Sequence, residues 1–425
     1  MSAVRVLAGP PLERGAESYL EHVARLGPLP LSQAQRTLIP ELEASGLLGR
    51  GGAGFPVGRK WRSVAERAHG RGAVVLVNGA EGEPLSHKDR TILALRPNLV
   101  LDGAQLAAEA IGANEIVLYV GETAEAATDA LQRAGAERRA AGAGSRVPIR
   151  IARAPDRYVA GEESAAVRFV NEGDARPVTT PPRPFERGVA GLPTLVQNVE
   201  SLAHAALIAR SGADWYRAVG EGDARGTALV TVTAPGGRPV VREVELGRTI
   251  GEVARLDAAR PGDGTSAATA SDTQAVLLGG YFGRWIDAGT AWGLPLNPDI
   301  LRQHGLSMGA GVVAFLSTST CPIVATARIA EYLAAQSAAQ CGPCVFGLRA
   351  IADAVTRLAR LEAHREDWAN VERWAAQVKN RGACRHPDGA VGLLESALVT
   401  FEGELERHWH RRGCSFSAGV RSRAA

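Results

Sequence analysis

The sequence predicts an α/β protein built from a layered domain, a small α+β module and a helical C-terminal region. Three observations support this prediction. Patterns typical of helices and of buried strands alternate up to about residue 215, β-branched residues recur at alternate positions over 227–246, and helical spacing dominates beyond residue 325. The sequence has no repeat of fixed period, which excludes solenoids and propellers.

The layered domain begins with helices and continues as an alternation of strands and helices. The first helix carries apolar residues at helical spacing and closes at Gly46, and a Val/Leu run over 73–78 is typical of a strand buried on both faces. Ligands of such sheets bind at the carboxyl ends of the strands. The predicted helices are 31–47, 59–68, 97–111 and 123–140, and the predicted strands are 73–78, 115–120 and 148–152.

The sequence pattern changes after the layered domain. The segments 227–233 and 240–246 alternate β-branched residues on either side of a Pro-Gly-Gly turn and predict a hairpin, after which a short helix opens at Thr249. The remaining predicted elements are a strand over 275–282 and helices over 325–355 and 367–379.

Composition excludes several classes of partner. The chain has 425 residues and a formal net charge of +3, and it lacks the run of five like charges that would predict a nucleic-acid or membrane surface. No apolar stretch reaches the roughly 18 residues of a spanning helix, and the N-terminus lacks a secretory pattern. We therefore expect a cytoplasmic protein with no nucleic-acid partner. Only Lys60, Lys88 and Lys379 are lysines, which marks Lys60 and Lys88 as candidate point charges.

The first candidate site is the glycine-rich segment from Gly49 to Gly58. Glycines permit positive φ and let backbone amides approach an anion, and the following helix presents its positive end to a phosphate. A phosphorylated cofactor would fit, and a connection that merely turns is the alternative. The segment has no Gly-Lys-Ser/Thr ending of a Walker loop, and a helix precedes it, unlike the ordinary dinucleotide fingerprint.

Two acidic segments follow predicted strands. One is Asn78-Gly-Ala-Glu81-Gly-Glu83-Pro84, and the other is Tyr158-Val-Ala-Gly161-Glu162-Glu163-Ser164. Their position suits hydrogen bonding to a polar ligand. The alternatives are a solvated acidic turn for the first segment and helix capping by Glu162 and Glu163 for the second.

The five cysteines all lie in the last quarter of the chain. An odd, clustered set in a large chain predicts metal or redox chemistry rather than a disulfide framework. Cys341-Gly-Pro-Cys344 could hold one metal or cluster with Cys384. A redox dithiol and a buried apolar pair are the alternatives. Cys321, Cys414 or His386 could supply a fourth ligand, and a histidine would favour zinc.

Together, these motifs resemble the NADH-oxidising, FMN-bearing subunit of respiratory complex I and of related hydrogenases and formate dehydrogenases. The resemblance covers about residues 35–400, and the Asn78–Pro84 stretch is closer to the C subunit of the Rnf ferredoxin:NAD oxidoreductases. The motifs that carry it are 49–61, 78–90, 157–164, 191–201 and 341–344.

The resemblance implies three domains, two cofactors and an iron-sulfur cluster. It implies that Phe55 stacks on the adenine of NADH and that Glu83 and Glu163 act near the nicotinamide. The implied domains are a Rossmann-like FMN- and NADH-binding domain over 35–222, a β-grasp module of the soluble-ligand-binding type over 223–320 and a helical [4Fe-4S] domain over 321–412, with an N-terminal extension over 1–34 and a tail over 413–425. The implied cofactor-binding residues are Arg50, Gly51, Gly52, Ala53, Gly54, Phe55, Lys60, Asn78, Glu81, Tyr158, Gly161, Glu162 and Asn198, and the implied cluster ligands are Cys341, Cys344 and Cys384.

The chain departs from the family pattern at several of these positions. The first cluster cysteine is replaced by Ala338, which leaves a labile [4Fe-4S] cluster, a [3Fe-4S] cluster, a non-cysteine ligand or no cluster. Two aromatic positions expected to stack on NADH are Ser63 and Arg183, and an aspartate of the flavin pocket is Ala80. We therefore expect weaker NADH binding unless Arg183 compensates by a cation–π or phosphate contact.

The leading hypothesis is an FMN enzyme that passes electrons from NADH to an iron-sulfur centre or to a ferredoxin-like or [2Fe-2S] protein partner. Such a chain would reach a membrane complex only through other subunits. One alternative keeps the flavin but exchanges electrons with a partner ferredoxin without efficient use of NADH. Another is a non-enzymatic paralogue in which Cys341, Cys344 and Cys384 bind zinc or nothing.

Overall fold

The computed structural model describes residues 4–256 and 267–416, and the chain divides into two compact units. The first unit comprises Met1–Thr231, Val241–Arg248 and Leu296–Ile300, and the second comprises Val232–Val240, Thr249–Pro295 and Leu301–Ala425. Of the predicted tail, residues 417–425 lie outside the described ranges. Within those ranges, no helix combines the length and apolar character needed to cross a bilayer.

A four-stranded parallel sheet forms the centre of the first unit; three of its strands were predicted, and the strand over Thr194–Asn198 was not. The strand order is β3-β2-β1-β4, and Asn78 near the end of β1 is in register with Tyr119 of β2 and Asn198 of β4. The carboxyl ends of β1 and β4 therefore lie side by side. The strands are β1 (Ala73–Gly79), β2 (Ala113–Gly121), β3 (Ile149–Ala154) and β4 (Thr194–Asn198).

Helices cover this sheet, and one of them is nearly all buried. Helix α5 has apolar residues around its circumference because it packs against α2 and α8 as well as the sheet. At its closest approach to α8, a Cβ on Gly103 would lie 2.1 Å from the Leu202 carbonyl oxygen, so only glycine fits there. The helices are α1 (Tyr19–Leu26), α2 (Leu31–Ser45), α3 (Val57–Ala68), α4 (Lys88–Leu95), α5 (Pro97–Ile111), α6 (Glu125–Ala140), α7 (Glu163–Glu172) and α8 (Val199–Arg217).

The N-terminal extension is fastened to the first unit through two buried carboxylates. Glu243 accepts the backbone amides of Arg5, Val6 and Leu7 at 2.9–3.0 Å. Asp102 of α5 pairs with His22 of α1 at 2.8 Å. Burial alone would raise the pKa of Asp102, but hydrogen bonding from His22 and the neighbouring arginines hold it well below its usual range. The segment is therefore an integral part of the unit.

The middle of the chain forms antiparallel strands. β5 (Thr227–Thr233) and β6 (Val240–Glu245) are neighbours, which confirms the predicted hairpin. In the second unit, β7 (Thr273–Leu278) pairs antiparallel with both β8 (Arg284–Asp287) and β9 (Val312–Ser317). The strand predicted over 275–282 was too long, because Gly279 and Gly280 take φ of 95° and 87° and end it.

The C-terminal region is helical, as predicted, but the helix expected over 325–355 is interrupted. Helix α12 ends at Ala335, Ala339 takes a φ of 51°, and a π-helical turn over Pro343–Leu348 precedes α13. The interruption contains the cysteine motif. The remaining helices are α9 (Ile250–Leu256), α10 (Ala288–Trp292), α11 (Pro298–Gln303), α12 (Pro322–Ala335), α13 (Arg349–Ala359), α14 (Asp367–Val378), α15 (His386–Thr400) and α16 (Glu402–Trp409).

Candidate cofactor-binding site

The carboxyl edge of the parallel sheet carries a cleft. The segments that leave β1, β2 and β3 line it, as expected for ligand sites of parallel sheets. The lining residues are Gly79, Ala80, Glu81, Gly82, Arg90, Gly121, Thr123, Ala124, Pro155, Asp156 and Arg157. The predicted acidic segment after β1 therefore borders a concave surface.

The glycine-rich loop is closed at its base and open at its tip. The Gly49 amide donates to the Phe55 carbonyl and the Val57 amide to the Leu47 carbonyl, both at 2.9 Å. Gly52 takes a φ of 102°, a conformation that L side chains rarely adopt. In the described ranges, no protein acceptor bonds the amides of residues 51–54, which are exposed or partly exposed. The tip thus offers consecutive donors to an anion.

Arg50 anchors this loop instead of facing a ligand. Its amide donates to the Ser201 hydroxyl at 2.9 Å, and its guanidinium donates to the Tyr216 hydroxyl at 3.1 Å and to the Thr227 carbonyl at 2.9 Å. The side chain is buried. Arg50, one of the loop residues predicted to hold a cofactor, therefore already has protein partners for both its amide and its guanidinium. Residues 51–54 supply the free amides.

A buried charge network lies behind the loop. The Lys88 ammonium is 2.7 Å from an Asp89 oxygen and 3.0 Å from a Glu200 oxygen, and the Arg50 Nε is 3.7 Å from the other Glu200 oxygen. Burial alone would raise the pKa of Glu200, but Lys88, His204 and Arg50 lower it to about 2. Burial raises the pKa of Asp89 to about 7 despite Lys88. Lys88, noted in the sequence only for its rarity, is the shared cation.

Two of the predicted cofactor residues cap helices. Glu81 accepts the Ser86 hydroxyl at 2.6 Å and the Asp89 amide at 3.0 Å, near the start of α4. Glu162 accepts the amides of Ser164 and Ala165 at 2.9 and 3.0 Å, at the start of α7. Burial raises the pKa of Glu162. The capping interpretation is therefore correct for the Glu162 side chain, and a direct cofactor contact by either carboxylate stays a prediction.

Two asparagines tie the strand ends to neighbouring loops. The Asn78 amide group donates to the Gly161 carbonyl at 2.8 Å, which joins the end of β1 to the segment after β3. The Asn198 side chain accepts the Glu200 amide at 3.0 Å and donates to Asp89 at 2.7 Å. A Cβ on Gly51 would lie 3.3 Å from the Asn198 Cβ, so the glycine loop rests on the end of β4.

Among the remaining predicted residues, four form two polar pairs and one presents an exposed ring. The Tyr158 hydroxyl donates to Glu83 at 3.0 Å, and the Lys60 ammonium lies 3.1 Å from a Glu163 oxygen. Phe55 is 53% exposed, which suits a stacking platform. The structure thus joins α3 to α7 and the β1 loop to the β3 loop through residues that the sequence assigned to one site.

The two positions expected to weaken NADH binding, Ser63 and Arg183, carry no aromatic ring in the structure. Arg183 is exposed, and Ser63 offers no ring. The Phe185 ring nearby is covered by the Arg67 guanidinium at 4.6 Å from its centroid. Of these positions, only Phe55 presents a ring to solvent.

The second unit brings the three predicted cluster thiols together. Cys344 is buried in the π-helical turn, and its amide donates to the Cys341 carbonyl at 3.1 Å. Burial first, and then the neighbouring Cys341 and Cys384, raise the pKa of the Cys344 thiol to about 12. Thiols deprotonate when they bind iron or zinc. That these three thiols hold a cluster stays a prediction.

None of the three residues named as a possible fourth ligand shows that role. The His386 Nε2 donates to the Leu333 carbonyl at 2.8 Å, and its ring packs edge-on against Phe282. Cys321 and Cys414 instead lie in one group with Glu404 and His408. Glu404 and His408 were not predicted from the sequence, although their i, i+4 spacing on a helix is a usable signal.

A parallel sheet with free amides at its carboxyl edge, together with a C-terminal thiol group, defines a cofactor-binding α/β protein with a metal-binding helical region. Residues 42–206 match the model of the Nuo51 FMN-binding domain, and residues 324–408 match that of the NADH-ubiquinone oxidoreductase-F iron-sulfur binding region. The chain is therefore a relative of the FMN-bearing subunit of complex I, which confirms the resemblance inferred from its motifs.

Individual relatives agree with this assignment. The chain is 29% identical over 385 residues to the F subunit of the NADH-quinone oxidoreductase of Rickettsia bellii (strain OSU 85-389), an alignment that spans 88% of this chain and 91% of the relative. The mitochondrial NADH dehydrogenase (ubiquinone) flavoprotein 1 of Dictyostelium discoideum is 28% identical, with 87% and 78% covered. An NAD+-reducing [NiFe]-hydrogenase in its H2-reduced state superposes with a TM-score of 0.79 at 28% identity, over 92% of this chain and 67% of that chain.

The buried network generates a stability prediction. Lys88→Met leaves Asp89 and Glu200 buried without their cation and should cost about 3 to 5 kcal/mol of unfolding free energy at pH 7. In the native protein, the ionised Glu200 carboxylate contributes to the free energy of unfolding above the ordinary glutamate pKa, and this contribution is lost as the pH falls toward 2. In the variant, both carboxyls favour protonation, so the deficit should shrink as the pH falls from 7 to 4. Urea midpoints followed by circular dichroism across this range measure it.

Lys379→Met is the matched control, because Lys379 forms an exposed pair with Glu395 at 2.8 Å. Its loss should cost at most about 1 kcal/mol. Equal losses for the two variants, or a Lys88→Met deficit that does not depend on pH, would contradict this account of the network.

Proposed function

We propose that this protein is an FMN-dependent oxidoreductase that passes electrons from NADH to an iron-sulfur centre. The observation that carries the proposal is the row of free amides over residues 51–54 at the carboxyl edge of the sheet, within the region that matches an FMN-binding domain. The phosphate of FMN would take these amides, and Lys60 adds a positive charge one helical turn into α3. Relatives that align over most of this chain are named NADH-quinone oxidoreductases.

The chain's own residues would position donor and cofactor. Bound FMN accepts a hydride as two electrons and can release them one at a time. Tyr158 holds the Glu83 carboxylate at 3.0 Å, and Lys60 holds Glu163 at 3.1 Å, so both catalytic candidates have fixed orientations. The hydrogen bond from Asn78 to the Gly161 carbonyl connects the end of β1 to the segment that follows β3. A dinucleotide adenine would stack on the exposed Phe55 ring.

We further propose the domain boundaries, the cluster ligands and the electron acceptor of this protein. Residues 35–222 would form the Rossmann-like FMN domain, 223–320 the β-grasp module and 321–412 the iron-sulfur domain of a cytoplasmic subunit. Cys341, Cys344 and Cys384 would hold a [4Fe-4S] or [3Fe-4S] cluster, because three thiols converge where Ala338 removes the fourth. A ferredoxin-like or [2Fe-2S] protein would receive the electrons.

A second candidate function keeps FMN but takes electrons from a partner ferredoxin. Ser63 and Arg183 motivate it, since the positions that should stack on NADH lack rings. Rapid bleaching of the flavin by micromolar NADH would exclude this alternative.

The FMN assignment is tested by flavin content and anaerobic reduction. The purified protein should bind FMN, and NADH should bleach its absorbance. Gly52→Ala should weaken FMN binding roughly 5- to 150-fold, because a side chain at a φ of 102° costs about 1 to 3 kcal/mol and displaces the loop amides. Gly70→Ala is the control, since Gly70 also has positive φ, at 72°, but lies in the turn after α3. A protein that takes up no FMN, or equal FMN affinity in both variants, would refute the assignment.

The NADH site is tested at its exposed ring. Phe55→Ala should raise the dissociation constant for NADH roughly 5- to 150-fold, since one lost stacking partner costs about 1 to 3 kcal/mol, while FMN stays bound. Leu20→Ala, at a side chain 80% exposed on α1, should change neither ligand. Stopped-flow reduction at several NADH concentrations measures this, and unchanged NADH affinity in Phe55→Ala would place the adenine elsewhere.

The cluster is tested by restoring the missing ligand. Ala338→Cys should raise iron and sulfide content and slow cluster loss in air, because a fourth thiolate completes the site. Low-temperature EPR of the dithionite-reduced proteins reports the cluster type. Ala339→Cys, one residue off the motif, should match the native protein. Native protein without iron or sulfide, even when prepared anaerobically, would favour the degenerate-site alternative.

A further inference from the structure

A second metal-ligand group occurs in the helical region, distinct in composition from the three thiols of the cluster motif. Ligand atoms of Cys321, Glu404, His408 and Cys414 all lie within 4.8 Å of one another. Cys321 and Cys414 both lie outside the region that matches the iron-sulfur model, which spans 324–408. We propose that these four residues bind one zinc ion.

The separations between donor atoms agree with a tetrahedral ion. The Cys321 Sγ is 3.5 Å from the His408 Nε2, and the Glu404 Oε1 is 3.2 Å from that same nitrogen. Zinc bonds of about 2.3 Å to sulfur and about 2.0 to 2.1 Å to nitrogen and oxygen require separations of about 3.5 Å and about 3.3 Å at tetrahedral angles. The four donors are thus spaced for a single ion.

The histidine is oriented as a metal ligand. The His408 Nδ1 lies 2.9 Å from the Leu358 carbonyl oxygen, which can only accept a hydrogen bond. Nδ1 therefore carries the proton, and the lone pair of Nε2 faces Cys321 and Glu404. A carbonyl behind the distal ring nitrogen is the usual support of a zinc-bound histidine. His408 is fully buried, so this orientation is enforced by packing.

The chain path brings the other ligands to that nitrogen. Cys321 is the residue at the N-cap of α12, and Glu404 lies one turn before His408 on α16. After α16 the chain reverses at Gly413, where φ is 91°, and the Ser415 amide donates to Glu404 at 2.9 Å. This return places Cys414 beside the other three. The ion would therefore join the first and last described helices of the region 321–416.

The donor set selects zinc over other ions. Two thiolates, an imidazole and a carboxylate suit Zn²⁺, whereas Mg²⁺ and Ca²⁺ prefer oxygen ligands. All four positions are protein ligands, as in structural zinc sites. A thiol nucleophile is a poorer explanation, because Cys321 is buried beyond the reach of a substrate. Binding would release the two thiol protons.

Metal analysis of the full-length protein tests the site. Protein expressed in zinc-supplemented medium and purified under reducing conditions should hold one zinc ion per chain that Cys414→Ser and His408→Gln lose, with no loss of iron. Cys341→Ser is the matched control and should lose iron but keep zinc. Zinc absent from the native protein, or retained in Cys414→Ser, would overturn the proposal.

Two measurements on the native sequence avoid any folding defect of the variants. Co²⁺ added to the metal-free protein should produce tetrahedral d–d bands and thiolate charge-transfer absorption. Zn²⁺ should slow alkylation of Cys414, mapped by peptide mass spectrometry, at least tenfold. Octahedral Co²⁺ spectra, unprotected Cys414, or a Cys321–Cys414 disulfide in the protein under reducing conditions would each refute a zinc site.

Discussion

The buried carboxylate of Glu200 is the constraint on which the candidate cofactor site depends. It pairs with Lys88 at 3.0 Å, approaches Arg50 at 3.7 Å and accepts the Leu229 amide at 2.8 Å. These partners belong to the α4 helix, the glycine loop and strand β5. One fully buried anion therefore fixes three segments that are remote in the sequence, and an uncompensated charge at that depth would cost several kcal/mol. The loop amides stay free because Arg50 takes the anchoring role.

Several polar residues at the carboxyl edge of the sheet hold the loops of the candidate site in place by accepting hydrogen bonds from backbone amides. Glu81 and Glu162 accept hydrogen bonds from first-turn amides of the helices that follow them, since these amides have no acceptor within the helix. Asn198 does the same for α8. Helix starts need such acceptors wherever they occur. These hydrogen bonds hold the loops in place, and the cofactor contacts proposed for the backbone amides, the Phe55 ring and the Tyr158–Glu83 pair depend on that rigidity.

The cysteines divide into two groups with different chemistry. Cys341 and Cys344 lie in the break between α12 and α13, and Cys384, which precedes α15, contributes with Cys341 to raising the pKa of the buried Cys344 thiol. Cys321 and Cys414 lie with a histidine and a glutamate, a donor set for a single ion. Neither of the latter two is therefore available to replace the thiolate lost at Ala338. The redox cluster and the proposed structural ion can then be tested independently by iron and zinc content.

The sequence alone predicted three strands of the parallel sheet, the hairpin and the glycine-rich loop, because buried valine runs, alternating β-branched residues and clustered glycines follow from local backbone and burial preferences. Its motifs also indicated the family and grouped three cysteines. It could not show helix α4, whose first turn buries Lys88 and Asp89, since charged residues normally predict a surface. Only the tertiary structure decided that Arg50 faces inward, that Asn198 meets Asp89 and that His408 meets Cys321. Those outcomes depend on contacts between residues 87 to 177 positions apart, which no local pattern encodes.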